Sequence, residues 1–298
     1  MTTKRGGTDI WQVGIVHRPV GEIMARGLSG AGVTWLPEPG RFRFNADPFG
    51  LLHDGRFTAL VEACDYRSKR GEIHYYSYDA DWRLTASGVA LREPFHLSYP
   101  LLIRDGGDIY MLPEAHRSGR LTLYRAERFP DLWRPAAVFD MSAIDASLIR
   151  HDGLWWMFHA LPGPDRRAMR ELHVSFAEAL TGPWRPHAGN PVRVALDSAR
   201  PGGLPFLYEG AMHLPVQDCT GGYGAALNVL RIEELTPDRF EAAPVRRFLP
   251  DVHPDYPDGL HTLAEAGDVT LIDVKRLDRS SRLWVDLERR LRRLAGQR

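Results

Sequence analysis

The chain has 298 residues, 44% hydrophobic and 26% charged, with 38 Lys and Arg balancing 38 Asp and Glu. That composition belongs to a soluble globular protein with enough apolar material for one large domain or two ordinary ones. Zero net charge gives no field for binding nucleic acid, and two cysteines are too few for a disulfide framework. Nothing resembles a signal peptide or reaches 18 uninterrupted apolar residues, so a cytoplasmic protein in a reducing compartment is expected.

In chain order, IWQVGIV (10–16) reads as a strand. ADPFGLLHDGRFTALVEA (46–63) then has two apolar runs around an Asp-Gly turn, the signature of a hairpin. The unit returns as SYPLLIRDGGDIYMLPEA (98–115) and IDASLIRHDGLWWMFHA (144–160). It returns again as ARPGGLPFLYEGAMHLPVQD (199–218) and PDGLHTLAEAGDVTLIDVKR (257–276). Its turn glycines, Gly55, Gly107, Gly153, Gly210 and Gly267, recur roughly every 50 positions. Between the hairpins lie further strand-like runs at 71–82, 120–133, 171–184 and 225–235, three of which end near Trp82, Trp133 and Trp184. Each period therefore holds about four strands, one propeller blade. A lone blade cannot bury both faces, and five closing into a ring remove the exposed edges.

The fold expected is all-β: a five-bladed β-propeller over 1–279, with the strand at about 9–16 supplying the outer strand of the last blade. A β-sandwich is the competing arrangement, and it makes the common spacing a coincidence. Beyond the ring, SSRLWVDLERRLRRLAG (280–296) sets Leu283, Leu287, Leu291 and Leu294 on one helical face. A C-terminal basic amphipathic helix is expected over 280–298. It either docks on the propeller or meets a partner protein or membrane surface.

In a blade, the start of the first strand and the end of the second share one face of the disc. Those positions hold Asp47 with Glu62, Tyr99 with Glu114, and Asp145 with His159. Blade four offers Arg200 with Gln217 and Asp218, and blade five offers Asp258 and His261 with Lys275. Asp54 and Asp152 fall inside turns and have a structural explanation, whereas Glu62, Glu114, His159 and Lys275 end strands. Carboxylates converging on a narrow channel raise one another's pKa, leaving one as base and another as acid. Glycoside hydrolysis requires that division. No G-x-G-x-x-G follows a strand, and neither a P-loop nor H-E-x-x-H occurs, so neither cofactor nor metal is expected. Cys64 and Cys219 read as small buried core residues.

ADPF (46–49) and IDASL (144–148) resemble the Asp motifs of five-bladed propeller glycoside hydrolases: arabinanases, β-xylosidases, invertases and levansucrases. More closely, NADPFG, FHLSYPLL, IYMLPEA, SARPGG, PVQDC and YPDGLHTL resemble the N-terminal propeller domain of glucosamine inositolphosphorylceramide transferases, over about 9–276. The hydrolase resemblance implies that Asp47 is the base or nucleophile and that Asp145 tunes the acid. It also implies an acidic Glu at the start of blade four, where this chain has Ser198-Ala199-Arg200-Pro201-Gly202. The acid must then come from elsewhere, with Glu114 first and His261 or Glu62 next. In some of these hydrolases a fifth-blade His holds Ca²⁺, and His261 is the matching residue. Arg200 in the acid position suits a carboxylate or phosphate.

The expectation is a carbohydrate-active enzyme acting on a glycosidic or sugar-conjugate bond of an anionic sugar. Catalysis would rest on Asp47, Glu114 and Asp145. Glu62, Tyr99, His159, Arg200, Gln217, Asp218, Asp258, His261 and Lys275 would bind the substrate. The alternative is a non-catalytic glycan- or nucleotide-sugar-binding module that assists a partner transferase.

Overall fold

The computed structural model describes residues 7–279, 284–288 and 290. Five antiparallel sheets form a five-bladed propeller. Blade one runs outward through Arg43–His53, Arg56–Asp65, Arg70–Tyr78 and Leu84–Leu91. Blade two comprises Ser98–Asp105, Asp108–Glu114, Leu121–Arg128 and Leu132–Phe139. Blade three has Ile144–His151, Leu154–Ala160 and Glu171–Ala177, with the short Arg185–Pro186 and Arg193–Val194 on its outer edge. In blade four, Arg200–Pro201 and Phe206–Tyr208 together form an interrupted inner strand against Ala211–Asp218, followed by Ala226–Leu235 and Phe240–Phe248.

Blade five joins the two ends of the described chain. Gly259–Ala266 and Val269–Asp278 are its inner strands, and Thr8–Val16 pairs along the second from Thr8↔Asp278 to Val16↔Thr270. The N-terminal strand is thus third in the blade, not outermost as the sequence suggests, because Val33–Trp35 adds outside it. Val13, Ile15 and Val16 are fully buried there, which explains why an apolar run this far from its partners holds its register. A short helix, Val20–Arg26, connects the two added strands and buries Val20, Ile23 and Met24.

The core lies between blades. Ala59 and Val61 of blade one, Leu101 of blade two, Met157 of blade three and Leu271 of blade five share one apolar cluster. Residues 284–288 form a helical turn that buries Val285 and leaves Trp284 and Leu287 exposed, with Glu288 3.8 Å from Arg67. Leu283, Leu291 and Leu294 of the expected apolar face lie outside the described residues.

Candidate active site

Asp47, Tyr99 and Asp145 occupy equivalent places in the inner strands of blades one to three. All three take left-handed backbone, with φ of 51°, 46° and 51°. The ladders break register there, between Ala46 and Phe49, Ser98 and Leu101, and Ile144 and Ser147. Each is a bulge that turns one peptide N–H out of the ladder. For an ionisable or bulky residue such a conformation costs on the order of 1–3 kcal/mol and persists where the surroundings enforce it.

The freed N–H groups meet carboxylates. Asp47 N donates to Asp273 Oδ2 at 2.9 Å, Tyr99 N to Asp47 Oδ2 at 3.3 Å, and Asp145 N to Glu114 Oε2 at 3.3 Å. A fourth register shift, between Leu260 and Thr262, sits beside His261 in blade five. Four of the five blades therefore re-aim their inner strand at one end of the axis.

Asp273 is the anchor. It is completely buried, and its Oδ1 accepts from the backbone N–H of His261 and Thr262 and from His261 Nδ1 at 2.7 Å. Burial acts to raise its pKa, but His261 and these N–H donors prevail and hold it below the ordinary carboxylate value. His261 Nε2 faces Asp47 Oδ1 at 3.3 Å. Both ring nitrogens thus look at carboxylate oxygens, which only an imidazolium can serve. Burial works against that charge, yet Asp273 and Asp47 lift the His261 pKa above its usual value. Trp11 stacks on the ring at 3.7 Å and Tyr223 meets it edge-on at 5.3 Å.

Burial raises Asp47 to about 6, with His261 opposing the rise and Asp273 and Glu114 adding to it. Glu62 is driven well above the carboxylate range, by burial first and then by the charges of Asp47, Glu114 and Asp145. Glu114 goes the other way. Burial pushes it up, but His116 Nδ1 at 2.6 Å and the Arg200 charge outweigh that and hold it low. Its surroundings favour the charged form, whereas the proton donor expected there needs the protonated one. Burial raises Asp145 to about 8 against the pull of Arg200, whose Nε lies 2.7 Å from Asp145 Oδ2. Gln217 Nε2 donates to the same oxygen at 2.9 Å, and the Arg200 guanidinium lies over the Tyr223 ring.

The structure thus brings Asp47, Glu62, Glu114, Asp145, Arg200, Gln217 and His261 together. Tyr99 joins through its backbone only: its ring is buried in the core, and its hydroxyl bonds Ser147 Oγ at 2.7 Å and Gly203. Lys275 lies behind the cluster, against the Tyr223 carbonyl oxygen and over the Trp11 ring. Three expected residues turn elsewhere. His159 bonds Ser175 within blade three, Asp218 holds Thr220 and Arg247, and the exposed Asp258 accepts from Leu277 N. Sequence reasoning marked Tyr223 as an aromatic near the mouth but missed Asp273, Trp11, His96 and His116. His96 Nε2 lies 3.5 Å from Glu62 Oε1, and an acid in the middle of the apolar run LIDV was the one available signal for Asp273.

Asp47, His261 and Asp273 each offer a ligand atom within 4.8 Å of one another. A hard cation such as Ca²⁺ takes 6–8 oxygen ligands, and here the oxygens and the imidazole are already spent on one another and on backbone N–H groups. The trio fits a hydrogen-bonded relay rather than a cation cage.

The five-bladed propeller fold is shared with proteins of known structure. A family 117 glycoside hydrolase of Zobellia galactanivorans superimposes with a TM-score of 0.54, at 13% identity over 80% of this chain and 84% of its own. An α-L-arabinofuranosidase of Podospora anserina, solved with cellotriose, does so with 0.56, at 10% identity over 81% and 93%. In sequence, residues 31–254 match the family described as glucosamine inositolphosphorylceramide transferase 1, N-terminal, and the chain belongs to that family. The rice protein of that name (Oryza sativa subsp. indica) is 36% identical over 211 residues, 68% of this chain and 28% of its own length. The Arabidopsis thaliana protein is 31% identical over 68% of this chain and 27% of its own. The chain spans less than a third of these curated relatives.

Proposed function

We propose that the chain is a carbohydrate-active domain that cleaves or transfers a glycosyl group of an anionic sugar conjugate at the axial cluster. The observation that carries this reading is the opposed tuning of adjacent acids. The His261 imidazolium favours the charged form of Asp47, while burial and the charges of neighbouring acids favour the protonated form of Glu62. Asp47 would take the proton of the attacking water or acceptor hydroxyl as that oxygen bonds to the anomeric carbon. The glycosidic C–O bond breaks, and the leaving oxygen receives the Glu62 proton. The ionised Glu114 would steady positive charge developing on the sugar, and Arg200 would meet the substrate's anionic group. The rice and Arabidopsis relatives are named glucosamine inositolphosphorylceramide transferases, which supports a sugar-conjugate substrate.

The test is turnover of a panel of aryl glycosides and glycuronides. Wild-type turnover should fall by at least 10³-fold in Asp47→Asn and Glu62→Gln, with sugar binding retained in calorimetry. The hydrogen bond from Arg200 to Asp145, in the place where the hydrolases carry their acid, favours a second reading as a binding module. Binding without turnover by the wild type would establish that reading instead.

A further inference from the structure

Blade four carries a second polar concentration, at the end of the disc remote from the acids. Its inner hairpin pairs Arg200 with Gln217 at the axial mouth and Tyr208 with Ala211 at the opposite end, about 20 Å away along the strand. There a cavity of about 320 Å³ opens between Met24 of the Val20–Arg26 helix and Tyr208, His213, Arg231 and Arg246 of blade four. That volume is at the lower end of small-molecule sites, about 300–1,000 Å³.

We propose that this cavity binds a small hydroxylated anion bearing a phosphate or carboxylate, gripped by Arg231 and Arg246. Arg246 supplies the main argument. Its Nε is buried with no hydrogen-bond partner, and among the described residues it pairs with no carboxylate. That nitrogen is closed to solvent and hence to a ligand, but Arg246 lines the cavity and its charge meets no carboxylate, which leaves the guanidinium's cavity-facing side for an anion's oxygens. The two arginines come from neighbouring strands, Ala226–Leu235 and Phe240–Phe248, and planar forks suit the oxygens of phosphate or carboxylate. Arg231 has only a loose partner, Glu233 at 3.5 Å, and is half exposed.

The remaining groups fit the rest of such a ligand. His213 Nδ1 donates to the Ala211 carbonyl at 3.1 Å, which leaves Nε2 as the ring's hydrogen-bond acceptor for a hydroxyl. Glu209, the one acid lining the cavity, is engaged by the Tyr208 hydroxyl. The one carboxylate lining the cavity is thus already hydrogen-bonded, and Glu233 is only a loose partner of Arg231 outside it.

The site stands independently of any glycosyl chemistry at the axis. Its test is calorimetric titration of the full chain at low salt, with inorganic phosphate in one arm and sodium glucuronate in the other. Binding in the millimolar range or tighter is expected in at least one arm, weakened at least tenfold by Arg246→Gln and by Arg231→Gln. The ring resonances of His213 should shift on binding while those of His261 stay in place. Phosphate alone or glucuronate alone would identify the anionic group. The exposed Arg231 keeps the test decisive if the Arg246 variant unfolds. No binding in either arm up to about 10 mM, binding that Arg231→Gln leaves unchanged, or a shift at His261 rather than His213 would overturn the proposal.

Discussion

Asp47 shows how much one buried residue answers to its neighbours. Its carboxyl rises from 3.8 to about 6, with burial the largest cause. Between those values the folded chain holds a proton that the unfolded chain has already released. By linkage, this group makes stability fall as pH climbs from about 4 to 6. In urea melts across that window, Asp47→Asn should flatten the decline by about one proton. An unchanged slope would show that Asp47 titrates normally. The residues of this cluster were unevenly visible in the sequence. Asp47, Glu62, Glu114 and Asp145 mark strand ends at a fixed distance from turn glycines, so period alone located them. Their protonation was not visible, because it depends on contacts such as His116 with Glu114, made by a loop residue outside the repeat. Nor was the direction of Tyr99, since a bulge can present either side chain or backbone to the axis.

At the level of elements, the bulged inner strands are tied to one another by more than packing. Tyr99 of blade two sends its hydroxyl to Ser147 of blade three and to Gly203 of blade four, which donates its N–H back at 2.7 Å. Gly203 in turn bridges Leu263 of blade five. At φ 135° it has no room for a side chain, and a Cβ would run into the Leu263 carbonyl. Tyr99→Phe removes three contacts and leaves the Gly203 N–H buried without an acceptor, a cost of about 1–3 kcal/mol. Chemical denaturation should register that loss. A variant as stable as the wild type would mean that water or another group replaces the hydroxyl. Strand hairpins were legible from their alternation and turns, whereas Val33–Trp35 and Val20–Arg26 were not, being short and outside the repeating pattern.

For the whole molecule, closure depends on Thr8–Val16, which supplies fully buried Val13, Ile15 and Val16 to blade five. Deleting this strand exposes the edge of Val269–Asp278 and opens the core between the last blade and its neighbours. The truncated chain is expected to lose its cooperative thermal transition in near-ultraviolet circular dichroism. A synthetic peptide of residues 8–16 should restore part of it, and a sharp melt without the strand would show that four blades and a hairpin suffice. The ring also imposes an order of events on synthesis. Trp11 is made well before His261 and Asp273, yet they meet around Asp47. A nascent chain therefore carries its acids unneutralised, with neither imidazolium nor indole beside them, until the final hairpin arrives. On the proposed reading, any chemistry at the axis must wait for that hairpin to close the ring.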